Sequence, residues 1–285
     1  MPDPGDASGA GAAPALTVFL CGDVMTGRGV DQILAHPGAP GIQEPWVRDA
    51  REYVALAERT SGAIPRPVDA GYVWGDALAE LERAAPDARI ANLETSVTTS
   101  PTPWRGKQVH YRMHPANVGC LAAARLDVCA LANNHVLDYG HRGLEETLAS
   151  LAAAGVKTTG AGRDIAAAER PAVVDVPGGR RVVVHAAGTR SSGIPATWAA
   201  TPTRPGVVLL ADLSPATADA LLERVSTAKR PGDVTVVSIH WGGNWGYDVP
   251  DSHVRFAHRL VEAASTWSTA TRRTIRGRWR CTGGG

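Results

Sequence analysis

The stretch ALANNHVLDYG, residues 130–140, places two amides, an imidazole and a carboxylate directly after a short apolar run. A surface turn at this point would be expected to carry Gly, Pro or Ser. The polar residues are Asn133, Asn134, His135 and Asp138. The pattern predicts a buried strand over 126–133 that delivers functional side chains at its carboxyl end.

The same pattern recurs on both sides of this stretch. Apolar runs that end in polar residues predict buried strands over 15–25, 88–94 and 233–243, and helical spacing of apolar residues predicts helices between them, as over 142–155. Two β-branched runs around Pro-Gly-Gly at 171–188 predict a hairpin. We therefore expect an α/β fold with mixed strand pairing, in which ligands bind beyond the carboxyl ends of the strands.

Composition excludes several classes of protein. The chain has 285 residues, is 44% hydrophobic, and carries 29 basic against 28 acidic side chains. A formal charge of +1 gives no general attraction to nucleic acid or to an anionic membrane. The four cysteines lack the paired spacing of a zinc or redox motif. Residues 1–14 read as a flexible leader without a signal-peptide pattern, and no run reaches membrane-spanning length, so the expected location is cytoplasmic.

Polar residues end four of the predicted strands: Asp23, Glu94, Asn134 with His135, and His240. Carboxylate, amide oxygen and imidazole form a ligand set suited to divalent zinc, manganese or iron. Paired metal ions of this kind activate water and stabilise displacement at phosphorus. Against this, a single strand-end Asp or Glu is commonly a helix cap or turn former, and His135 could be a hydrogen-bonded structural residue.

Five segments carry a family resemblance. They are GDVMTGR (22–28), NLET (92–95), ANNHVLDYG (132–140), TGAG (159–162) and HWGGNWGY (240–247). In order and spacing they resemble the motifs of the poly-gamma-glutamate capsule synthesis (CapA-like) family, a branch of the calcineurin-like metallophosphatases. The resemblance covers about residue 16 to residue 263. It implies a sandwich of two mixed β-sheets flanked by helices, with a metal-type centre at one edge.

The resemblance also implies a set of metal ligands. Asp23 would bind a first metal ion, Glu94 would replace the usual bridging aspartate, and Asn134 and His240 would bind a second ion. Met25 stands where ordinary metallophosphatases carry a histidine, and a thioether is a poor substitute for imidazole at such an ion.

The remaining site residues concern the substrate, which the resemblance implies is an anionic polymer or a phosphoester. His135 would be the general acid or a phosphate contact, oriented by Asp138, which could equally cap the following helix. Arg28, Asn133 and Trp241 are substrate-binding candidates. Arg28 could instead be a solvated loop charge, and core packing is an equally good interpretation of Trp241.

The C-terminal segment departs from the family pattern. Relatives are expected to continue after residue 264 with an apolar strand and a motif containing two histidines, whereas residues 265–285 are rich in Arg and Thr and contain no histidine. A basic arm that binds nucleic acid or membrane would explain this, but the abrupt change of composition favours out-of-frame translation. On that interpretation the domain at 15–264 lacks its C-terminal strands and two ligands.

Three functions follow as hypotheses. The first is a metal-dependent, phosphoesterase-like hydrolase acting in capsule synthesis. The second is a noncatalytic accessory protein that binds the capsule polymer during its assembly or export. The third is an inactive truncated product.

Overall fold

The structure, a computed structural model, describes residues 15–245, 248–264 and 267–271. The predicted leader at 1–14 and most of the predicted tail lie outside the described residues. The strands are, in chain order, β1 (Val18–Val24), β2 (Ala88–Leu93), β3 (Ser96–Val97), β4 (Arg112–Met113), β5 (Val128–Ala130), β6 (Lys157–Thr159), β7 (Ala161–Gly162), β8 (Ala172–Val176), β9 (Arg180–Thr189), β10 (Gly206–Val207), β11 (Leu209–Leu210), β12 (Val234–His240) and β13 (Trp267–Thr271).

Helices lie between most of these strands. The α-helices are α1 (Arg28–Ile33), α2 (Arg51–Ser61), α3 (Ala77–Ala84), α4 (Gly119–Ala123), α5 (Gly140–Ala153), α6 (Ile165–Glu169), α7 (Pro215–Ala228) and α8 (Asp251–Ala264). The helix predicted over 142–155 corresponds to α5. Helix α1 has no counterpart among the predicted elements, because six residues are too few to show a helical period. In the described part of the chain, no helix combines the length and apolar character that crossing a bilayer requires.

Two main sheets organise the fold. The first has the order β1-β2-β5-β6, and all its pairs are parallel. The second has the order β11-β9-β12-β13 with β8 antiparallel to β9, which is the predicted hairpin. The predicted α/β class with sheets flanked by helices is confirmed. Of these two sheets, only the second is mixed. Every connection in the first sheet is long enough for the chain to cross back and begin the next strand in the same direction.

Three apolar layers hold the sheets and helices together. The layer between the sheets contains Ala88, Ile90 and Val128 from the first sheet and Val182, Val184 and Val236 from the second. A second layer packs the opposite face of the first sheet against α5. A third packs the opposite face of the second sheet against α7 and α8. Burial on both faces explains why these strands are apolar at nearly every position.

Strand β13 lies in the segment that was expected to stand outside the fold. It pairs in parallel with β12 from Val236↔Trp267 to His240↔Thr271. The sheet therefore continues past the predicted boundary at residue 264. Thr and Trp are frequent in strands, so backbone pairing does not need the aliphatic run that the family pattern implies.

Candidate functional site

The site lies between the two sheets, at the carboxyl ends of β1, β2 and β5 in the first sheet and of β12 in the second. On β2, Ala88 and Ile90 face the inter-sheet layer, so Asn92 at the next alternate position belongs to the same face. On β12, alternation from Val236 places His240 on that face too. The carboxyl ends of parallel strands meet at one edge of a sheet, which brings these side chains together.

A β-bulge in β1 aims Asp23 into the site. Cys21 pairs with Ala91, yet Asp23 rather than Gly22 pairs with Asn92. Without the extra residue, regular alternation would turn Asp23 to the opposite face of the sheet. The bulge therefore allows Asp23 to join Asn92 and His240.

The four predicted ligands are brought together around His240. Its Nε2–H donates to Asn134 Oδ1 at 2.9 Å, and the same nitrogen is 3.8 Å from Glu94 Oε1. Its Nδ1 is 3.6 Å from Asp23 Oδ1. The side chain of His240 is 2% exposed and that of Asp23 is 24% exposed, so solvent reaches the cluster from the β1 side.

Asn92 belongs to this cluster, although sequence reasoning did not select it. Its amide donates to Asp23 Oδ1 at 2.7 Å and its oxygen accepts from the Asn133 amide at 3.1 Å. Burial acts to raise the pKa of Asp23, but hydrogen bonding and charge from His240, with hydrogen bonds from Asn92 and Glu94, lower it below its usual value. The feature of the sequence that could have pointed to Asn92 is its place as a polar residue on the inward face of an otherwise apolar strand.

His135 lies beside the cluster and is held from three directions. Its Nε2 is 3.6 Å from Glu94 Oε1, and its Nδ1 is 2.6 Å from Asp138 Oδ2. The Tyr111 ring stacks on the imidazole, with centroids 3.7 Å apart and planes at 14°. Tyr111 also donates its backbone N–H to Asp138 Oδ2 at 2.6 Å. The loop that carries Tyr111 thus fixes both members of the His135–Asp138 pair.

Asp138 orients His135 and is not a helix cap. The N-cap residue of α5 is Tyr139, and no side chain caps that helix. Burial raises the pKa of Asp138 to about 7, while the neighbouring Lys107 acts to lower it. A carboxyl group in this state can change its protonation near neutral pH.

Lys107 is the second site residue that sequence reasoning missed. Its ammonium group donates to Asp138 and to the backbone oxygen of Asn134, and it is 3.1 Å from His135 Nδ1. It also lies over the Trp198 ring, 5.3 Å from the centroid. The loop around Lys107 has no periodic pattern, so the position of Lys107 is set by tertiary contacts. The only feature of the sequence that could have pointed to Lys107 is that the chain has just three lysines.

The three predicted substrate-binding residues are packed or hydrogen-bonded within the protein. Arg28 lies between the Tyr53 and Tyr111 rings, at 4.7 and 4.6 Å, and pairs with the buried Glu44 at 2.5 Å. It is thus not a solvated loop charge, and its predicted contact with substrate stays a prediction. Arg28 supports the face of Tyr111 opposite His135.

Asn133 and Trp241 are buried by packing and hydrogen bonding. Asn133 is fully buried, and its oxygen accepts the backbone N–H groups of His135 and Val136. Trp241 stacks on His253 at 4.6 Å and packs against Phe256. Both residues thus have structural contacts, and their predicted contact with substrate stays a prediction. An amide that forms a turn and an indole in the core cannot be told from ligand-binding groups by sequence alone.

The chemistry of the donors suits a divalent cation. Two carboxylates, an amide oxygen and imidazole nitrogens lie within 4 Å of neighbours in the cluster, and this mixed set suits zinc, manganese or iron. Among the described residues, however, no group of three or more His, Cys, Asp and Glu side chains is arranged to hold a metal ion. The donors bond to one another, so an ion would have to replace the His240–Asn134 hydrogen bond.

Comparison with known proteins identifies the family. A family model described as "Bacterial capsule synthesis protein PGA_cap" matches residues 17–266. The chain belongs to this family. The match confirms the resemblance to the CapA-like proteins and includes every residue of the cluster.

Similar proteins are found in mycobacteria and bacilli. A protein of Mycobacterium tuberculosis named "Probable polyglutamine synthesis accessory protein" is 52% identical over 255 residues, which cover 89% of this chain and 67% of the relative. "PGA biosynthesis protein CapA" of Bacillus subtilis is 27% identical over 252 residues, 88% of this chain and 55% of the relative. "Capsule biosynthesis protein CapA" of Bacillus anthracis is 25% identical over 254 residues, 88% of this chain and 52% of the relative. The chain thus spans only part of each relative.

Proposed function

We propose that this protein acts in the synthesis of a capsule-type glutamate polymer as a metal-dependent hydrolase of polymer or phosphoester linkages. The observation that supports this is the convergence of Asp23, Glu94, Asn134 and His240 next to the His135–Asp138 pair. Two carboxylates share this small volume, and a cation would offset their mutual repulsion. The glutamate polymer is what the family resemblance implies, and the relatives are named for polyglutamine, PGA or capsule synthesis.

The residues around the cluster give His135 a defined chemical role. Because Nδ1 faces the Asp138 carboxylate, the Nδ1–H bond is fixed there, and Nε2, which lies 3.6 Å from Glu94 Oε1, would exchange a proton with substrate. Lys107 stabilises the negative charge on Asp138, and Asp138 in turn stabilises the imidazolium form of His135. The pair suits donation of a proton to a leaving-group oxygen or nitrogen.

Asp23, Glu94, Asn134 and His240 would hold the metal. When bound, the ion would supply Lewis acidity and lower the pKa of a water molecule. Asn92 and Asn133 would keep Asp23 oriented through their amide chain.

A noncatalytic role is the second candidate, since the 52% identical relative is named an accessory protein. In that case the same residues would bind the polymer without cleaving it. The two roles differ in their dependence on His135, because binding needs no proton donor.

Metal content and hydrolysis of purified protein test the proposal. We expect the native chain, incubated with manganese, zinc or iron and then desalted, to retain metal, and the Asp23→Asn/Glu94→Gln variant to retain less. His135→Ala should keep its metal but hydrolyse a phosphodiester or polyglutamate about 100-fold more slowly or worse. Asp175→Asn, which removes an exposed carboxylate on β8, is the control. A native chain that retains no metal and cleaves neither substrate would refute the hydrolase proposal, and polymer binding that survives His135→Ala would then favour the accessory role.

A further inference from the structure

A groove beside the cluster is formed by residues 100–105 and 139–142 and has a volume of about 530 Å³. One wall is the loop that follows β3, and the other is the start of α5. A volume of this size accommodates a ligand of several residues or a small molecule. The groove contains none of the proposed metal ligands, so the cluster does not account for it.

The charge of the groove is positive. Arg105 and Arg142 line it, and both are exposed. Within the described residues, neither guanidinium forms an ion pair with a carboxylate. The charge of Arg142 acts to lower the pKa of Glu146, but the Glu146 carboxylate already accepts hydrogen bonds from Thr98 and Thr99. Both guanidinium groups are therefore available to an anionic ligand.

One wall of the groove carries apolar residues that are held in place. Trp104 packs edge-on against Trp198 at 5.4 Å and His141 at 5.9 Å, and its backbone N–H donates to the Asp138 carbonyl oxygen at 2.7 Å. Pro101 and Pro103 lie on the same wall and restrict the backbone of the loop. This wall is fixed by packing before any ligand arrives, which reduces the entropy cost of binding.

The groove and the cluster are linked by residues of one loop. Trp104 bonds to Asp138, and Lys107, on the same loop, contacts both Asp138 and His135. Tyr139, the residue after Asp138, lines the groove. Residues 104–107 and 138–139 thus connect the groove to the cluster.

We infer that this groove is a binding subsite for a polycarboxylate chain, which it holds while a linkage of the same chain lies at the cluster. The inference builds on the proposed function. Guanidinium groups bind carboxylates in a bidentate manner, and Trp104 and the prolines offer apolar surface to the methylene groups between successive carboxylates. A polyphosphate would satisfy the arginines and leave the apolar wall without a partner. The lining therefore favours the carboxylate polymer.

Binding of synthetic oligomers to the full chain tests this inference. A glutamate decamer is expected to bind the native chain in isothermal titration calorimetry, and a glutamine decamer, nearly the same in shape but neutral, much more weakly. Arg105→Gln/Arg142→Gln should weaken binding of the glutamate decamer about tenfold or more, since each bidentate charge contact is lost. Arg59→Gln/Arg163→Gln, which removes two exposed arginines outside the groove, is the matched control and should change affinity less than about threefold.

The outcomes separate this inference from the proposed function. If the groove variant binds the decamer as the native chain does, or the native chain does not bind it, the subsite is refuted, whatever His135→Ala does to hydrolysis. Polyphosphate of equal charge binding more tightly than the decamer would refute the choice of ligand. If the groove variant binds weakly while the native chain retains no metal and shows no hydrolysis, the subsite holds and the hydrolase proposal fails.

Discussion

The ion pair between Lys107 and Asp138 is a buried residue-level constraint on the site. The side chain of Asp138 is 0% exposed and that of Lys107 is 15% exposed. Removal of one partner from a buried pair is costly, because the remaining charge is left without compensation. Asp138 can limit this cost by taking up a proton, since its pKa is already about 7.

A double-mutant cycle on this pair is the first prediction. At pH 7, Lys107→Met and Asp138→Asn are each expected to lower the free energy of unfolding by roughly 2–4 kcal/mol, and the double variant to lose at least about 1 kcal/mol less than their sum. Urea unfolding followed by tryptophan fluorescence measures this. Lys157→Met, which removes an exposed lysine, should change stability by no more than about 0.5 kcal/mol. Additive losses in the double variant would contradict the coupling.

His185 on β9 gives a prediction about pH. It is 5% exposed, and within the described residues its Nε2 has no hydrogen-bond partner. Burial, and then the charge of Arg224, lower the pKa of His185 from 6.5 to about 4. Between these values the unfolded chain binds more protons than the folded chain, so this residue makes stability fall as pH is lowered.

Replacing His185 with Leu should remove that contribution. Relative to the native chain, the His185→Leu variant is expected to gain unfolding free energy as pH falls from 6.5 to about 4, by up to about 1.4 kcal/mol per pH unit. The difference in urea unfolding between the two chains at several pH values measures this, and it isolates His185 from other titrating groups. A difference that does not vary with pH would show that His185 titrates alike in the folded and unfolded chains.

At the level of elements, the turn between β6 and β7 controls how closely the two sheets approach. Gly160 has a φ of +88°, and a Cβ atom there would lie 2.7 Å from Ala186 Cβ and 2.8 Å from Ala132 Cβ. Ala132 belongs to the stretch that leads into Asn133, and Ala186 lies on β9. Only glycine satisfies both the backbone conformation and the close contact.

Gly160→Ala is therefore expected to destabilise the protein by about 3 kcal/mol, from left-handed backbone strain and overpacking together. Gly155→Ala is the matched control. Gly155 also has a positive φ, +74°, but a Cβ atom there would meet nothing within 4 Å. Gly155→Ala should lower the free energy of unfolding by only about 1 kcal/mol, because backbone strain acts there without a steric clash. Thermal or urea unfolding compares the two variants, and equal losses would show that the close approach of the sheets does not depend on Gly160.

At the level of the whole molecule, β13 completes the second sheet beside β12. It pairs with five consecutive residues, Val236 to His240, and His240 belongs to the cluster. Without β13, the outer edge of β12 would expose unpaired N–H and C=O groups, which promotes pairing between chains. Strand β13 therefore supports both the second sheet and the strand that carries His240.

Removing β13 tests its contribution. A chain ending at residue 266 is expected to unfold at a lower temperature than a chain ending at residue 271, and to form more high-molecular-weight species. Thermal unfolding and size-exclusion chromatography with light scattering measure the two effects. The chain ending at 271 is the control, because it keeps the strand and lacks the residues that follow. Identical behaviour of the two chains would show that β12 does not need this partner.

Local sequence patterns determined most of the long elements of this protein and several of its site residues. Each buried strand needs an apolar run and each amphipathic helix an apolar face, so β1, β2, β5, β12 and α5 could all be predicted. The polar strand ends Asp23, Glu94, Asn134 and His240 could be predicted for the same reason, since parallel strands share one carboxyl edge.

The tertiary structure decided which side chains meet. The bulge that turns Asp23 inward, the position of Lys107 beside Asp138 and the place of Arg28 behind Tyr111 leave no periodic pattern in the sequence. Periodicity records only how an element is buried, residue by residue along one segment. Contacts between segments far apart in the chain depend on the register and packing of the whole fold, and these are fixed only when the two sheets come together.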